Sequence, residues 1–280
     1  MATPPLAGAL NPNGSINSRG SFCALLNGAL PAENVSFTGL FNGWTEQLTE
    51  LGASQQAVSN VKGDWYEWLI AICAWNYRVM QNVGAHIAVK LPSIAEFEVS
   101  RLYEPNLYAF IADLREKVEA SANVSLVTSN PDFALIRHGA ADVPPALLNP
   151  IAQVDDAALT LLDSAFLQFV EHCAFEHIAG YASVKASLRP DRRLQLPHEG
   201  SLMKALYMHL QTRQWILHPA GLRYYAIAPV VSDADVNALR TVATSSIVSV
   251  QISPEPAVDA VHTVDSLDEG FAVMAQILTA

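Results

Sequence analysis

With 280 residues, 51% hydrophobic and only 15% charged, the chain carries enough apolar material to bury a core, which excludes an intrinsically disordered protein. The longest apolar run, Leu69 to Trp75, ends at Asn76 and Arg78, well short of a membrane span, and the stretch from Met1 to Ser15 has neither the positive charge nor the apolar block of a secretory signal. Three scattered cysteines, Cys23, Cys73 and Cys173, exclude a C-x-x-C zinc frame, and a net charge of −11 excludes a uniformly basic nucleic-acid binder.

Along the chain, residues 1–15 read as a loose lead-in of Pro, Gly, Asn and Ala. Val61 to Gln81 is predicted helical. Trp65, Leu69, Ile72, Trp75 and Val79 share one face, and Glu67 lies off that stripe. A short strand is expected over His86 to Leu91, then a helix from Phe97 to Ala120, kinked or broken near Pro105. Val124 to Thr128 and Phe133 to Ile136 read as two strands meeting at Asp132, with Ser129-Asn130-Pro131-Asp132 as the turn. Asp156 to Ile178 has helical spacing. Tyr181 to Leu188 alternates as a strand, setting Ser183, Lys185 and Ser187 on one face. A polar loop is expected next, followed by a helix from about His198 to Gln214. Strands at Tyr224 to Val231 and Ser245 to Ile252 and a helix from Asp265 to Leu278 close the chain. Interleaved strands and helices with no linker and no repeat predict an α/β fold in one domain spanning residues 1–280.

The charge is unevenly spread. From Tyr181 to Tyr225 stand seven of the sixteen basic residues (Lys185, Arg189, Arg192, Arg193, Lys204, Arg213, Arg223) against Asp191 and Glu199, a net +5 on a body of −16. That is compatible with a local DNA-binding site on an acidic protein. No G-x-G-x-x-G, P-loop or G-x-S-x-G occurs, and His172 and His177 around Glu176 are five apart, so they do not form an H-E-x-x-H pair.

Metal-dependent phosphodiester cleavage needs carboxylates to hold Mg²⁺ at the scissile phosphate and a lysine to orient or activate the attacking water. Such sites often read Pro-Asp followed by Asp/Glu-x-Lys, because alternation puts the acid and the lysine on one sheet face. Pro-Asp occurs at Pro131-Asp132 and Pro190-Asp191. Two residues before the five lysines stand Asn60, Ala88, Arg115, Ser183 and Leu202, none of them acidic. The best match is Ser183-Val184-Lys185, with Glu199 fourteen residues after the lysine able to supply the missing carboxylate. The plainer alternatives stay open at this point: Asp132 capping a turn, Lys185 a solvated strand lysine, Glu199 complementing a helix N-terminus.

Three stretches narrow this further: Gly63-Asp64-Trp65-Tyr66-Glu67-Trp68-Leu69-Ile70, Thr128-Ser129-Asn130-Pro131-Asp132-Phe133, and the block from Ser183 through Leu210 to Gln211-Thr212-Arg213. They resemble the Cfr-ten-I group of type II (IIF) restriction endonucleases, relatives of NgoMIV, from about Val61 to Val242 and only thinly over the first fifty residues. The resemblance implies a PD-(D/E)xK core, a mixed central β-sheet flanked by helices. It implies a Mg²⁺-dependent enzyme that cuts double-stranded DNA at purine-CCGG-pyrimidine. In that pattern Asp132, Ser183, Lys185 and Glu199 are the catalytic set with a further glutamate at Glu67, and Asp132, Glu199 and Glu67 are the metal ligands. The base readers would be Arg189, Asp191 and Arg192, expected on a loop. Arginine pairs bidentately with guanine N7 and O6, and aspartate accepts from cytosine N4, which suits a CCGG half-site. Arg193 is left to a phosphate contact or a surface ion pair. The resemblance further implies a bacterial cytoplasmic protein, a homodimer paired into a homotetramer, with Arg213 and Trp215 at the second interface. The alternative is a sequence-specific DNA-binding protein on the same fold that does not cut.

Overall fold

The computed structural model describes residues 9–11, 15–81, 86–126, 130–137, 148–248 and 253–279. Among them, five strands form one mixed sheet in the order β1 (Ile87–Lys90), β2 (Phe133–Ile136), β3 (Ile178–Val184), β4 (Arg223–Ala228), β5 (Ala260–Thr263). β1, β2 and β3 pair antiparallel, while β3, β4 and β5 pair parallel. β3 is therefore the seam between two kinds of pairing. Its residues Gly180 to Val184 are all buried, as a strand flanked on both sides and covered by helices must be.

The helices are α1 (Ser18–Leu26), α2 (Phe37–Glu50), α3 (Gln55–Gln81), α4 (Pro105–Ala122), α5 (Asp156–Ser164), α6 (Pro190–Arg213), α7 (Asp233–Leu239), α8 (Thr244–Val248) and α9 (Leu267–Ile277). α3 starts six residues before the expected Val61, where the Ser54 hydroxyl accepts from Ala57 N at 3.1 Å as an N-cap. It is also no surface helix with one apolar stripe. Trp65, Tyr66 and every residue from Trp68 to Asn76 are buried, because α3 touches α1, α2, α5, α9, β1 and β3. Much of that cover comes from the N-terminal helices, which the sequence left unassigned. Phe22 of α1 meets Trp44 of α2 edge-on at 6.0 Å, and Trp44 meets Trp65 of α3 at 5.3 Å and 87°. Ile16 belongs to the same core, and so does Ala9 within the expected lead-in.

Other expectations are corrected as well. Of the kink or break expected near Pro105 the break is found, but the helix expected from Phe97 begins only there: Pro105 takes the first position of α4, where its missing N–H is no loss, after a short 3-10 turn at Val99–Leu102. Only β2 follows Asp132. Val124 to Leu126 carries no strand, and residues 127–129 lie outside the described residues. The helix expected over Asp156 to Ile178 stops at Ser164, then continues as 3-10 turns at Ala165–Phe169 and Phe175–His177, with Glu171 at φ 65 turning the chain between them. Ser245 to Val248 is helical, the opposite of the strand expected there, and residues 249–252 lie outside the described residues. The last strand is Ala260–Thr263, a four-residue segment too short to announce itself by alternation.

The largest correction concerns α6. It begins at Pro190, eight residues ahead of the expected start, runs 24 residues and carries Pro197 inside it. A proline inside a helix cannot donate to the turn before it, and that made the segment read as a loop. Arg189 is thus the N-cap, Asp191 lies in the first turn, and Glu199 lies deep in the helix instead of at its start.

Candidate active site

The end of β3 is where the expected catalytic residues converge. Phe133 pairs with Ala182, which brings Asp132, one residue earlier, level with the Ser183–Lys185 end of the neighbouring strand. Asp132 Oδ2 accepts from Val184 N at 2.6 Å and from Lys185 Nζ at 2.7 Å. Both side chains are about 15% exposed, so this ion pair sits on the floor of a cleft. Lys185 lies one residue past the strand but still donates its backbone N–H to Ile227 O at 2.9 Å, which keeps it in strand register. Burial works against its charge. Asp132, Glu199 and Glu67 outweigh that and hold its pKa above the usual lysine value. The lysine is an ammonium at neutral pH.

Ser183 is fully buried. Its hydroxyl donates to Glu199 Oε2 at 3.1 Å, the Tyr224 hydroxyl donates to the same oxygen at 2.8 Å, and the two hydroxyl oxygens stand 2.8 Å apart. The position where a carboxylate would stand in the standard motif is therefore filled by a hydroxyl that holds the carboxylate sent from α6. Glu199, only 2% exposed, receives a third bond on Oε1 from Gln195 Nε2 at 2.6 Å. A buried carboxylate is tolerable only with such donors around it.

Glu67 projects from α3 into a cleft of about 780 Å³ lined also by Asp64, Lys90, Asp132 and Asp163. Lys90 stands 3.6 Å from Glu67 and 3.1 Å from Asp163. Burial first, and then the Asp132 charge, push the Glu67 carboxyl up to about 8, against the pull of Lys90 and Lys185. Two acids pressed together with too little positive charge between them suit a cation. Among the described residues no three His, Cys, Asp or Glu side chains make a ready-built metal cage. Magnesium does not ask for one: it keeps several waters and takes one or two carboxylates plus substrate phosphate. Asp132 and Glu67 line one cleft and offer the hard oxygen donors such an ion takes, and Glu199 is the further carboxylate expected to join them.

The residues expected to read the bases lie beside this site. Arg189 and Arg192 flank Asp191, with nitrogen to oxygen distances of 3.6 and 3.7 Å, and Arg189 and Asp191 are each 61% exposed. A second cavity of about 310 Å³ is lined by Glu67, Lys185, Arg189 and Arg192 and so joins the two groups. Arg193 turns away and pairs with Asp235 of α7 at 2.6 Å, the ion-pair option left open for it. The +5 segment is not one basic face. Lys204 is buried against Asp259 at 2.9 Å, Arg223 pairs with the same aspartate at 3.2 Å, and Arg213 lies over the Phe110 ring and 3.4 Å from Asp113. Trp215 stands outside the core, 87% exposed. Tyr224, Gln195, Lys90 and Asp163 went unnoticed in the sequence, since none forms a local pattern with the residue it serves.

An aspartate–lysine pair at the ends of two central strands of a mixed sheet, with a carboxylate beside it from the following helix, is the arrangement of a type II restriction endonuclease. The model of the Cfr10I/Bse634I restriction endonuclease family matches residues 16–280, including the N-terminal stretch where the resemblance looked thin. The type II restriction enzyme Cfr10I of Citrobacter freundii is 40% identical over 248 residues, 87% of this chain and 86% of that protein. Two solved structures superpose on the fold. The Bse634I restriction endonuclease does so with TM-score 0.84, and the type IIF restriction endonuclease Bse634I with cognate DNA with 0.85. Each is 29% identical and covers 94% of this chain and 92% of its own. The chain belongs to the Cfr10I/Bse634I restriction endonuclease family.

Proposed function

We propose that this endonuclease cuts double-stranded DNA at purine-CCGG-pyrimidine, before the first C, in a Mg²⁺-dependent reaction that leaves 5′ overhangs and 5′-phosphates. The observation that carries the reading is the single helix α6, which holds Arg189, Asp191 and Arg192 at one end and Glu199 against the Ser183–Lys185 strand end further along. Base recognition and phosphodiester chemistry are thereby built on one rigid element. Bse634I, a structural neighbour, is known with cognate DNA, which supports DNA as the substrate here.

In this mechanism Asp132 and Glu199 would hold the ion, and Glu67 would support a second one. The ion, when bound, polarises the scissile phosphate and lowers the pKa of water. Lys185, charged and fixed on Asp132, positions the attacking water by hydrogen bonding and offsets charge building on the phosphate. As an ammonium it donates and does not accept a proton, so its part is electrostatic. Ser183 keeps Glu199 from rotating away. At the bases, Arg189 and Arg192 each take a guanine and Asp191 a cytosine. Two chains related by a two-fold axis are needed for a palindrome cut on both strands, and a pair of such dimers, meeting through Arg213 and Trp215, forms the tetramer.

The test is plasmid cleavage in Mg²⁺ and in EDTA, with the ends mapped, for the wild type, Asp132→Ala and Lys185→Ala. Cleavage at purine-CCGG-pyrimidine should require Mg²⁺. Both variants should lose it by at least about a thousandfold, more than 4 kcal/mol of barrier, while binding the site in Ca²⁺. Specific binding without any cleavage by the wild type would make the chain a DNA-binding protein only. Full cleavage by Lys185→Ala would remove the lysine from the mechanism.

A further inference from the structure

We propose that Gln195 is a positioning residue that links base reading by Arg192 to the alignment of the Glu199 carboxylate. The inference rests on the functional reading above and adds to it a physical path between recognition and cleavage. Arg192, Gln195 and Glu199 are spaced three and four residues apart on α6, so their side chains stack along one face of the helix. Arg192 Nη1 donates to Gln195 Oε1 at 2.5 Å, and Gln195 Nε2 donates to Glu199 Oε1 at 2.6 Å.

The direction of this relay is set by chemistry. A guanidinium only donates and a carboxylate only accepts, so the amide must point its oxygen to Arg192 and its nitrogen to Glu199. The reversed amide would face N–H against N–H on one side and oxygen against oxygen on the other. Glu199 Oε2 is already held by Ser183 and Tyr224, and Oε1 is the oxygen whose position Gln195 sets. Arg192 is one-third exposed and has further N–H groups for a base, with Asp191 only loosely held at 3.7 Å. An arginine locked bidentately on guanine N7 and O6 has its plane fixed, and the amide passes that fixed plane to Glu199. An arginine facing the wrong base finds no such lock, and Oε1 is held less well. The cut then depends on the base as well as on the binding.

Two substitutions separate the ends of the relay. Gln195→Met keeps the volume and helix preference but removes both bonds. Gln195→Glu keeps the acceptor for Arg192 and sets a second carboxylate against Glu199. Wild type and variants are compared by thermal melting, by binding in Ca²⁺ to duplexes with CCGG or an altered inner base, and by single-turnover cleavage in Mg²⁺. For Gln195→Met the cognate affinity should stay within about threefold and cognate cleavage should fall roughly 10- to 100-fold. Cleavage at altered sites should fall much less, so discrimination by cleavage narrows while discrimination by binding does not. Gln195→Glu should bind selectively and cut poorly. A Gln195→Met protein that loses melting temperature, binding and cleavage at all sites together has a structural glutamine, and the relay is wrong. The relay is equally wrong if either variant cuts and discriminates like the wild type. A wild type that binds CCGG and cuts nothing would instead overturn the endonuclease reading, and the relay with it.

Discussion

Tyr224 is fully buried on β4, and its hydroxyl is one of two groups that hold Glu199 Oε2. Burial, followed by the neighbouring Glu199 charge, pushes its pKa well above the usual tyrosine value, so the hydroxyl stays protonated and remains a donor. Tyr224→Phe removes that donor without changing the packing. The expected cost is about 1.5–3 kcal/mol of stability, the worth of one hydrogen bond to a charged group. Cleavage should fall roughly tenfold, since a carboxylate with one fewer anchor spends less time aligned. Melting temperature and single-turnover rate measured together decide the matter. An unchanged rate would mean that Ser183 alone holds Glu199 and that Tyr224 serves packing. The two kinds of residue differ in how visible they were. Asp132 and Lys185 stand in short patterns, Pro-Asp and Ser-x-Lys, that can be checked residue by residue and compared with a known family. A tyrosine on a strand or a glutamine in a helix is commonplace until the fold brings it to Glu199.

α6 lies so close to the parallel half of the sheet that Gly200 has no room for a side chain. A Cβ there would sit 2.1 Å from Ala257 O and 3.1 Å from Tyr224 Cδ1. Backbone cannot yield as a flexible side chain does, so Gly200→Ala must push the helix away from the Ala257 backbone that leads into β5. The expected loss is about 1–3 kcal/mol, a fall in melting temperature of roughly 2–4 °C for each kcal/mol in a chain of this size. Because Glu199 is the adjacent residue, cleavage at 25 °C should drop as well. Gly43 of α2 serves as the control: a Cβ there meets nothing within 4 Å, and Gly43→Ala should leave cleavage alone and gain up to about 1 kcal/mol of helix preference. Equal melting temperatures for the two variants would show that α6 can shift without cost. The same helix marks the limit of local pattern reading. Two prolines and a run of charged residues look like a loop, yet Pro190 occupies the first helical position, where it is favoured. The packing of Leu196, Met203, Leu206, Tyr207 and Leu210 carries the helix through Pro197.

Trp215 ends α6 in a left-handed conformation, φ 56, with its indole 87% exposed and Leu217 beside it 81% exposed. A bulky residue in that region costs on the order of 1–3 kcal/mol, and two large apolar side chains in water recover none of it within one chain. The alternative that Trp215 packs onto its own core is therefore excluded, and an anchor for another subunit is the use that suits it. Arg213 is already engaged with Phe110 and Asp113 of its own chain, so a direct role at that contact would require it to leave them or share them. Trp215→Ala should sediment as a dimer that cuts one site normally but no longer gains from a second site on the same DNA. A wild type that is only a dimer at micromolar concentration, with or without DNA, would refute the tetramer.

Local order in the chain was enough to determine the α/β class of fold and the helical core around Trp65 to Trp75, because both are written in periodicity, a property of neighbouring residues. The set Asp132, Ser183, Lys185 and Glu199 needed the family resemblance as well, since spacing alone left plainer readings of each residue open. Tertiary structure alone decided that α1 and α2 would bury α3, that residues 245–248 would be helix and not strand, and that Arg189, Asp191 and Arg192 would stand at the start of a helix and not on a loop. It alone set Gln195 and Tyr224 on the two oxygens of Glu199. The physical reason is the same throughout. A buried polar group takes its meaning from the donors and acceptors around it, and those come from distant parts of the chain that no local pattern connects.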